Sequence, residues 1–178
     1  MRTLLLLGFL AATALLLPAC GSAEKAPFPD ELSPWINPTS PPSPLKLLPF
    51  ETVEQGDQSG VAVEEPDVFS LGTQEQWEKF WSRHKSGVIP VPDLPEVDFT
   101  KEMVIAVVDG QEPSGGYRIE IAGIAPDLDS LIVMAKKTVP GRGCVVAAVI
   151  TQPFHIVRTA ESIVSADLDL VEEAHDCE

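Results

Sequence analysis

One cysteine near the N-terminus has the setting for covalent lipid attachment. Leu17-Pro18-Ala19-Cys20 closes an apolar run that starts at Leu4, and Arg2 gives the segment a positive beginning. The run is shorter than the about 20 apolar residues of a bilayer-spanning helix, but it suits the core of an export signal. We therefore expect residues 1–19 to be a lipoprotein signal peptide, and Cys20 to carry acyl chains such as palmitate on its sulfur and amine.

Lipidation at Cys20 would fix where the chain works. Two or more acyl chains hold a protein firmly in a membrane. The sequence thus predicts a lipid-anchored protein of the bacterial cell envelope that faces the periplasm or the cell exterior.

Cys144 and Cys177 have the chemistry for a disulfide. They are the two cysteines left once Cys20 is assigned to lipid, and export would place them in an oxidising compartment. A bridge between them would stabilise the fold by about 3 to 4 kcal/mol on a chain-entropy estimate. The sequence leaves open whether the two sulfurs meet, because bridging requires their Cα atoms to approach closely.

The residues that carry catalytic chemistry do not form a recognisable motif. Cys144 with His155 could act as a thiolate and its base, which leaves a hydrolase as one alternative. Ser114 lies in Pro113-Ser114-Gly115-Gly116, which is not the G-x-S-x-G arrangement of a nucleophile elbow. No pair has the spacing of a zinc site among the three histidines, His84, His155 and His175. We expect neither an enzyme nor a metal or other cofactor.

The charge balance limits the classes of partner. The chain has 27 acidic and 12 basic residues and a formal net charge of −15. Nucleic acids and anionic bilayer surfaces are bound through Lys and Arg, so this balance argues against both. The membrane is therefore expected as a partner only through the lipid anchor.

The distribution of proline divides the chain into a tether and one domain. Eight prolines lie between Gly21 and Pro49, and such density excludes long helices and sheet ladders. We interpret residues 20–48 as the lipidated cysteine followed by a proline-rich tether. Residues 49–178 are then a single β-rich domain.

Within that domain the pattern predicts one helix among many short strands. A capping box at Thr73-Gln74-Glu75-Gln76 predicts the start of the helix. An apolar face follows at helical spacing, made of Trp77, Phe80, Trp81 and His84. Met103 to Val108 and Cys144 to Ile150 are continuous apolar runs that predict strands. The predicted fold class is α+β, a small and mainly antiparallel β domain, either a sandwich or a partly open barrel, with one amphipathic helix.

An ordered set of residues between about 70 and 160 resembles the PrcB C-terminal domain family. Its most specific part is Pro113-Ser114-Gly115-Gly116-Tyr117, which follows an apolar strand. The remaining matching positions are Trp77, Phe80, Trp81, His84, Val97-Asp98-Phe99, Met103-Val104, Gly110, Pro140, Thr151, Pro153 and Phe154. The resemblance implies an exported, often lipidated accessory protein that associates with a protease and cleaves no peptides itself. It supplies no catalytic residues.

The sequence and the resemblance together predict a non-catalytic accessory or binding module. Its expected partner is an exported protease, which it would stabilise or regulate, or another envelope protein. Gly115 and Gly116 permit a tight turn into Tyr117. They form either a structural corner or an exposed backbone edge that accepts an extended partner segment. A small-ligand lipoprotein, with Trp77 or Trp81 lining a pocket, is the other alternative besides the Cys144–His155 hydrolase.

Overall fold

The computed structural model describes residues 46–160 and 165–177. The expected signal peptide at residues 1–19, the lipidated Cys20 and nearly all of the tether at residues 20–48 lie outside the described residues. The domain bounds and the lipidation of Cys20 therefore stay predictions.

The described chain contains seven strands and one helix. In chain order they are β1 (Phe50–Gly56), β2 (Asp67–Leu71), α1 (Gln74–His84), β3 (Met103–Val108), β4 (Arg118–Asp127), β5 (Ser130–Pro140), β6 (Phe154–Thr159) and β7 (Ser165–His175). The strands form two open sheets, one of four strands in the order β1-β6-β3-β2 and one of three in the order β4-β5-β7. The four-stranded sheet is antiparallel throughout. In the other sheet β4 and β5 are antiparallel, whereas β7 runs parallel to β5. The predicted α+β class is confirmed.

Strand β3 lies at the centre of the described domain, and both of its faces are apolar. All six of its residues are buried. Met103, Ile105 and Val107 belong to the core between the two sheets. The alternate residues of β3, together with Phe154 and Ile156 of β6, contact the aromatic face of α1. The layers are therefore helix, four-stranded sheet and three-stranded sheet, and the continuous apolar run in the sequence reflects burial on both sides.

The helix begins and packs as the sequence predicts. The Gln76 amide donates to the Thr73 hydroxyl at 3.2 Å, and the Gln76 side chain accepts from the Gly72 amide at 2.9 Å. Trp77 is fully buried and Trp81 is 6% exposed. Their indole N–H groups donate to Pro95 and Pro92 carbonyl oxygens at 2.9 and 3.3 Å. Both tryptophans are thus core residues whose polar atoms are satisfied by the proline-rich connection after α1.

Side-chain and backbone groups join the two sheets along the outer edge of β4. The Leu48 amide donates to the Ile124 carbonyl at 2.8 Å, and the Gln55 side-chain amide donates to the Ile119 carbonyl at 3.0 Å. A bulge in β4 lies between Ile121 and Gly123. Part of the backbone along this edge is therefore bonded within the domain itself.

One expected strand is absent. Residues 144–150 form no strand, although several of them are β-branched, which favours a strand. The apolar pattern at these positions predicts local preference but cannot supply a neighbouring strand, and none of the described strands pairs with this stretch.

Replacing Trp77 by alanine should lower the free energy of unfolding by about 3 to 5 kcal/mol, because it removes a fully buried aromatic side chain and leaves a cavity. Urea denaturation followed by circular dichroism measures this. Ser82→Ala, on the exposed side of the same helix, should change the value by less than about 0.5 kcal/mol. Equal effects of the two substitutions would contradict the assigned helix face.

Candidate functional site

The segment after β3, residues 109–117, forms a bend that starts at two buried residues, and we call it the glycine corner. It starts at Asp109, whose amide donates to the Pro153 carbonyl at 2.8 Å. The Gln152 side chain donates to the Asp109 carbonyl at 3.0 Å and to the Val61 carbonyl at 2.7 Å. These bonds hold the start of the corner against the loop before β6.

A buried ion cluster ties the corner to β5. The Lys137 ammonium lies 3.1 Å from Asp109 Oδ1 and 2.5 Å from Glu112 Oε1. It also faces Asp109 Oδ2 at 3.0 Å, through charge rather than an aligned hydrogen bond. Asp109 is fully buried. The ring of Tyr117 lies 5.9 Å from the same ammonium.

The charges of this cluster are unequal, since two carboxylates share one ammonium. Burial raises the pKa of Asp109, although the hydrogen bond from Lys137 opposes this. Burial disfavours the charged form of Lys137, but the hydrogen bonds and charges of Glu112 and Asp109 outweigh it and raise the pKa of Lys137. Lys137 is therefore a stable cation that fixes the position of the corner.

Gly115 and Gly116 of the corner pack on other residues of the domain. The Gly115 amide donates to the Ala147 carbonyl at 2.8 Å. Gly116 has a φ of +91°, and a Cβ placed on it would lie 2.8 Å from Val146 Cγ1. The Thr151 hydroxyl donates to the Ser114 carbonyl at 2.8 Å. The geometry favours the structural corner at these positions, and a role of Gly115, Gly116 and Tyr117 in partner binding stays a prediction.

The stretch that packs on the glycine corner is an exposed apolar loop, residues 144–150, which we call the apolar segment. Val145 is fully exposed, Ile150 is 62% exposed and Val149 is 50% exposed. Neighbouring exposed apolar side chains on one surface commonly mark an interaction site. The sequence pattern did not reveal this surface, because the same apolar run predicts a buried strand. The glycines on both sides of Arg142 were the available signal for a loop.

A disulfide fixes the start of the apolar segment. Cys144 and Cys177 are bonded, with their Cα atoms 5.1 Å apart, so the pairing left open by the sequence is confirmed. The Gly141 amide also donates to the His175 carbonyl at 2.8 Å. The apolar segment and the end of β7 are therefore neighbours on one surface.

Cys144 and His155 do not form a nucleophile and base. Cys144 is in the disulfide, and His155 uses both ring nitrogens inside the domain. Its Nδ1 accepts from the Ile121 amide at 2.8 Å, and its Nε2 lies 2.9 Å from the Thr52 hydroxyl. Because the amide can only donate, Nδ1 carries no proton and Nε2–H donates to Thr52. His155 therefore joins β6 to β1 and to β4.

The second buried histidine, His84, lies on the apolar face of α1. It is more buried than its position near the end of the helix indicates. His84 is 1% exposed, and its ring packs edge-on against Phe154 at 4.3 Å. Its Nδ1 lies 3.0 Å from the Ser59 hydroxyl and its Nε2 lies 3.3 Å from Glu54. Lys85 forms an ion pair with the same carboxylate. These contacts hold the end of α1 to β1.

The described part of the chain offers neither a grouped set of metal ligands nor a membrane-spanning helix. Across residues 46–160 and 165–177, no three His, Cys, Asp or Glu side chains are grouped as metal ligands. In the same residues no helix has the length and hydropathy to cross a bilayer.

The glycine corner and the apolar segment both lie within a stretch that is similar to a known family. Residues 103–160 match the family model described as PrcB C-terminal. The resemblance to this family is confirmed over those residues. The matched stretch runs from β3 to the end of β6, and α1 with its aromatic face lies before it. Neither the curated proteins nor the solved structures gave a match to the chain. The family match suggests an accessory domain associated with a protease complex.

Gly116→Ala should lower the free energy of unfolding by about 1 to 3 kcal/mol, because its positive φ and its contact with Val146 both oppose a β-carbon. Thermal and urea unfolding measure the change. Gly115→Ala is the matched control. A Cβ at Gly115 meets Ala147 at 3.5 Å, an ordinary van der Waals contact, so its cost should be clearly smaller. A larger effect at Gly115 would contradict the geometry of the corner.

The free energy of unfolding should fall as the pH is lowered from about 7 to about 5.5. Burial lowers the pKa of His155 below 6.5, with Glu120 opposing and Arg118 adding to the shift. Burial also lowers the pKa of His84. Protonation is therefore easier in the unfolded chain, so this stability is complete above about 6.5 and declines below it. Urea midpoints across this range measure the decline.

His155→Gln should flatten that pH dependence, since it removes one of the two buried imidazoles, while lowering the stability at neutral pH. His175→Gln, at the exposed end of β7, is the matched control, and the slopes of the two variants are compared. An unaltered slope in His155→Gln would show that His155 does not carry the effect.

Proposed function

We propose that this chain is a non-catalytic accessory module of an exported protease complex, anchored in the bacterial cell envelope through lipid on Cys20 and facing the periplasm or the cell exterior. The single observation that carries the proposal is the surface made by the glycine corner and the apolar segment. It presents Val145, Val149 and Ile150 to solvent on a base fixed by a disulfide and by the buried Lys137 cluster. A rigid apolar patch suits binding of another protein.

The fixed base favours binding because little conformational freedom remains to be lost there. The apolar segment is bonded through Ala147 to Gly115, and its first residue is bonded to Cys177. Ordering a loop on binding normally costs free energy, which a pre-organised loop avoids. The same rigidity suits a module that stabilises or regulates a partner rather than one that closes over a small substrate.

The residues with catalytic chemistry support a non-catalytic role. Cys144 has no free thiol, and the ring nitrogens of His155 and His84 are occupied by contacts within the domain. Each of these groups joins two elements of the fold. Their arrangement is explained by stability alone.

Crosslinking mass spectrometry on native envelopes, with the full chain as bait, tests the proposal. Because residues 141–152 contain no Lys, Asp or Glu, the crosslinker joins an amine of the partner to a photoreactive diazirine that inserts into any nearby residue. The expected result is a protease crosslinked near residues 141–152. Recovery of only abundant background proteins, in repeated preparations, would contradict a protease partner.

The double variant Val145→Asp with Val149→Asp should reduce recovery of the partner about tenfold or more, because it places two charges in an apolar contact. Both side chains are exposed, so unfolding in urea should be nearly unchanged. The matched control is Leu128→Asp. Leu128 is 96% exposed and lies at the opposite end of the β4–β5 hairpin, roughly 30 Å away at about 3.3 Å per residue. Equal losses in both variants would contradict a specific surface.

A further inference from the structure

Strand β7 is an edge of the three-stranded sheet, and one side of its backbone has no partner among the described strands. It pairs with β5 alone, in parallel and without a register shift, from Ser165 to His175. Ala166, Leu168 and Leu170 anchor its first half in the core. From Val171 to His175 every residue is exposed. A long, regular edge of this kind is a template for a further strand.

The edge of β4, beside Tyr117, has fewer free backbone groups for pairing with a further strand. The Ile119 and Ile124 carbonyls and the Ile121 amide on that strand are bonded to Gln55, Leu48 and His155. The two edges of the four-stranded sheet are shorter: β2 has five residues, and β1 has seven with a register shift between Thr52 and Glu54. Among the described strands, β7 is therefore the edge best suited to backbone pairing with a partner.

The charge along β7 selects what can pair with it. Asp167, Asp169 and Glu172 are exposed, and no ion pair involves them within the described residues. Glu173 pairs with Lys136 on β5. Opposite charges directly across two strands stabilise pairing and like charges oppose it. An added strand should therefore carry Lys or Arg at the facing positions.

The same charge argues against a second copy of this chain. Two β7 strands brought edge to edge would set carboxylates against carboxylates, which destabilises the pair. Acidic side chains on an edge strand commonly prevent such self-association. The chain as a whole also carries a net charge of −15, which makes copies repel one another.

The end of β7 is held ready for pairing. Cys177 is bonded to Cys144, and the His175 carbonyl accepts from the Gly141 amide. The exposed half of the strand is thus fixed at its far end although its side chains contact little. Fixing the strand in advance reduces the entropy lost when a partner segment pairs with it.

We propose that the free edge of β7 binds an extended, Lys- or Arg-bearing segment of the partner protein by strand addition. The proposal deepens the proposed function and rests on it for the identity of the partner. The disulfide places this edge beside the apolar segment, so one partner can contact both. Backbone hydrogen bonds supply affinity in this mode and alternate side chains supply selectivity.

The test uses the full chain with its disulfide intact and a synthetic acetylated and amidated peptide, Lys-Thr-Lys-Val-Lys-Thr-Lys-Val. We expect saturable binding by fluorescence anisotropy, weakening as salt rises, with slower amide hydrogen exchange at residues 171–175. The same peptide with Glu in place of Lys should not bind. Two further peptides carry N-methyl groups, one at the odd-numbered residues and one at the even-numbered residues. The peptide whose methyl groups lie on the amides that face β7 should lose binding, because those amides can no longer donate to the ladder.

Asp167→Lys combined with Asp169→Lys, two positions on one face of the strand, should weaken binding of the lysine peptide at least about fivefold. Glu75→Lys with Glu78→Lys, on the exposed side of α1, is the charge-matched control and should have a much smaller effect. Unchanged affinity for both N-methylated peptides, no protection at residues 171–175, or dimerisation of the chain through β7 in sedimentation would overturn strand addition.

The two proposals fail in different ways. If a protease is crosslinked near residues 141–152 but the peptide gives no protection of β7, strand addition is wrong and the proposed function stands. If the peptide protects β7 and envelopes yield no protease, the edge chemistry stands and the protease partner is wrong.

Discussion

The domain depends on burial of strand β3 on both faces. One row of its side chains packs between the sheets and the alternate row packs against α1. A strand in this position must be apolar at every residue, and Met103–Val108 meets that condition. The position of β3 also constrains the next segment of the chain. The chain leaves β3 at a fully buried carboxylate, Asp109, and the residues after it form the glycine corner because the buried charge must be paired.

The pairing of the Asp109 carboxylate with Lys137 links the stability of the domain to the candidate interaction surface. Lys137 on β5 joins Asp109 and Glu112, so the corner is tied to the second sheet through a cation rather than through a ladder. Breaking one partner of such a cluster leaves an uncompensated buried charge, whereas the intact cluster positions its neighbours. The Gly115 amide then donates to the Ala147 carbonyl, and this bond holds the middle of the apolar segment against the corner. The exposed valines are therefore positioned by contacts made within the domain.

The Cys144–Cys177 disulfide and the edge of β7 complete the same surface. The Cys144–Cys177 bond joins the apolar segment to the end of β7, although the two stretches are distant in sequence. Neighbouring apolar and acidic regions on one face suit an interface with an apolar centre and a polar border. The histidines, in contrast, are used inside the fold, His155 between β6 and the edges of β1 and β4, and His84 between α1 and β1. Cys144, His84 and His155 therefore each join separate parts of the fold.

The sequence by itself determined the elements whose signals are local. The capping box at Thr73, the aromatic face of α1 and the run in β3 each depend on spacing along a short stretch, and the structure has all of them. The family resemblance was likewise visible in the ordered residues around Gly115-Gly116-Tyr117. Only the tertiary structure decided that residues 144–150 are an exposed loop, that Cys144 meets Cys177, and that His155 and Lys137 are buried among partners from other elements. The physical reason is that an apolar or charged residue records a local preference, whereas its burial and its partners depend on which distant strands the topology brings beside it.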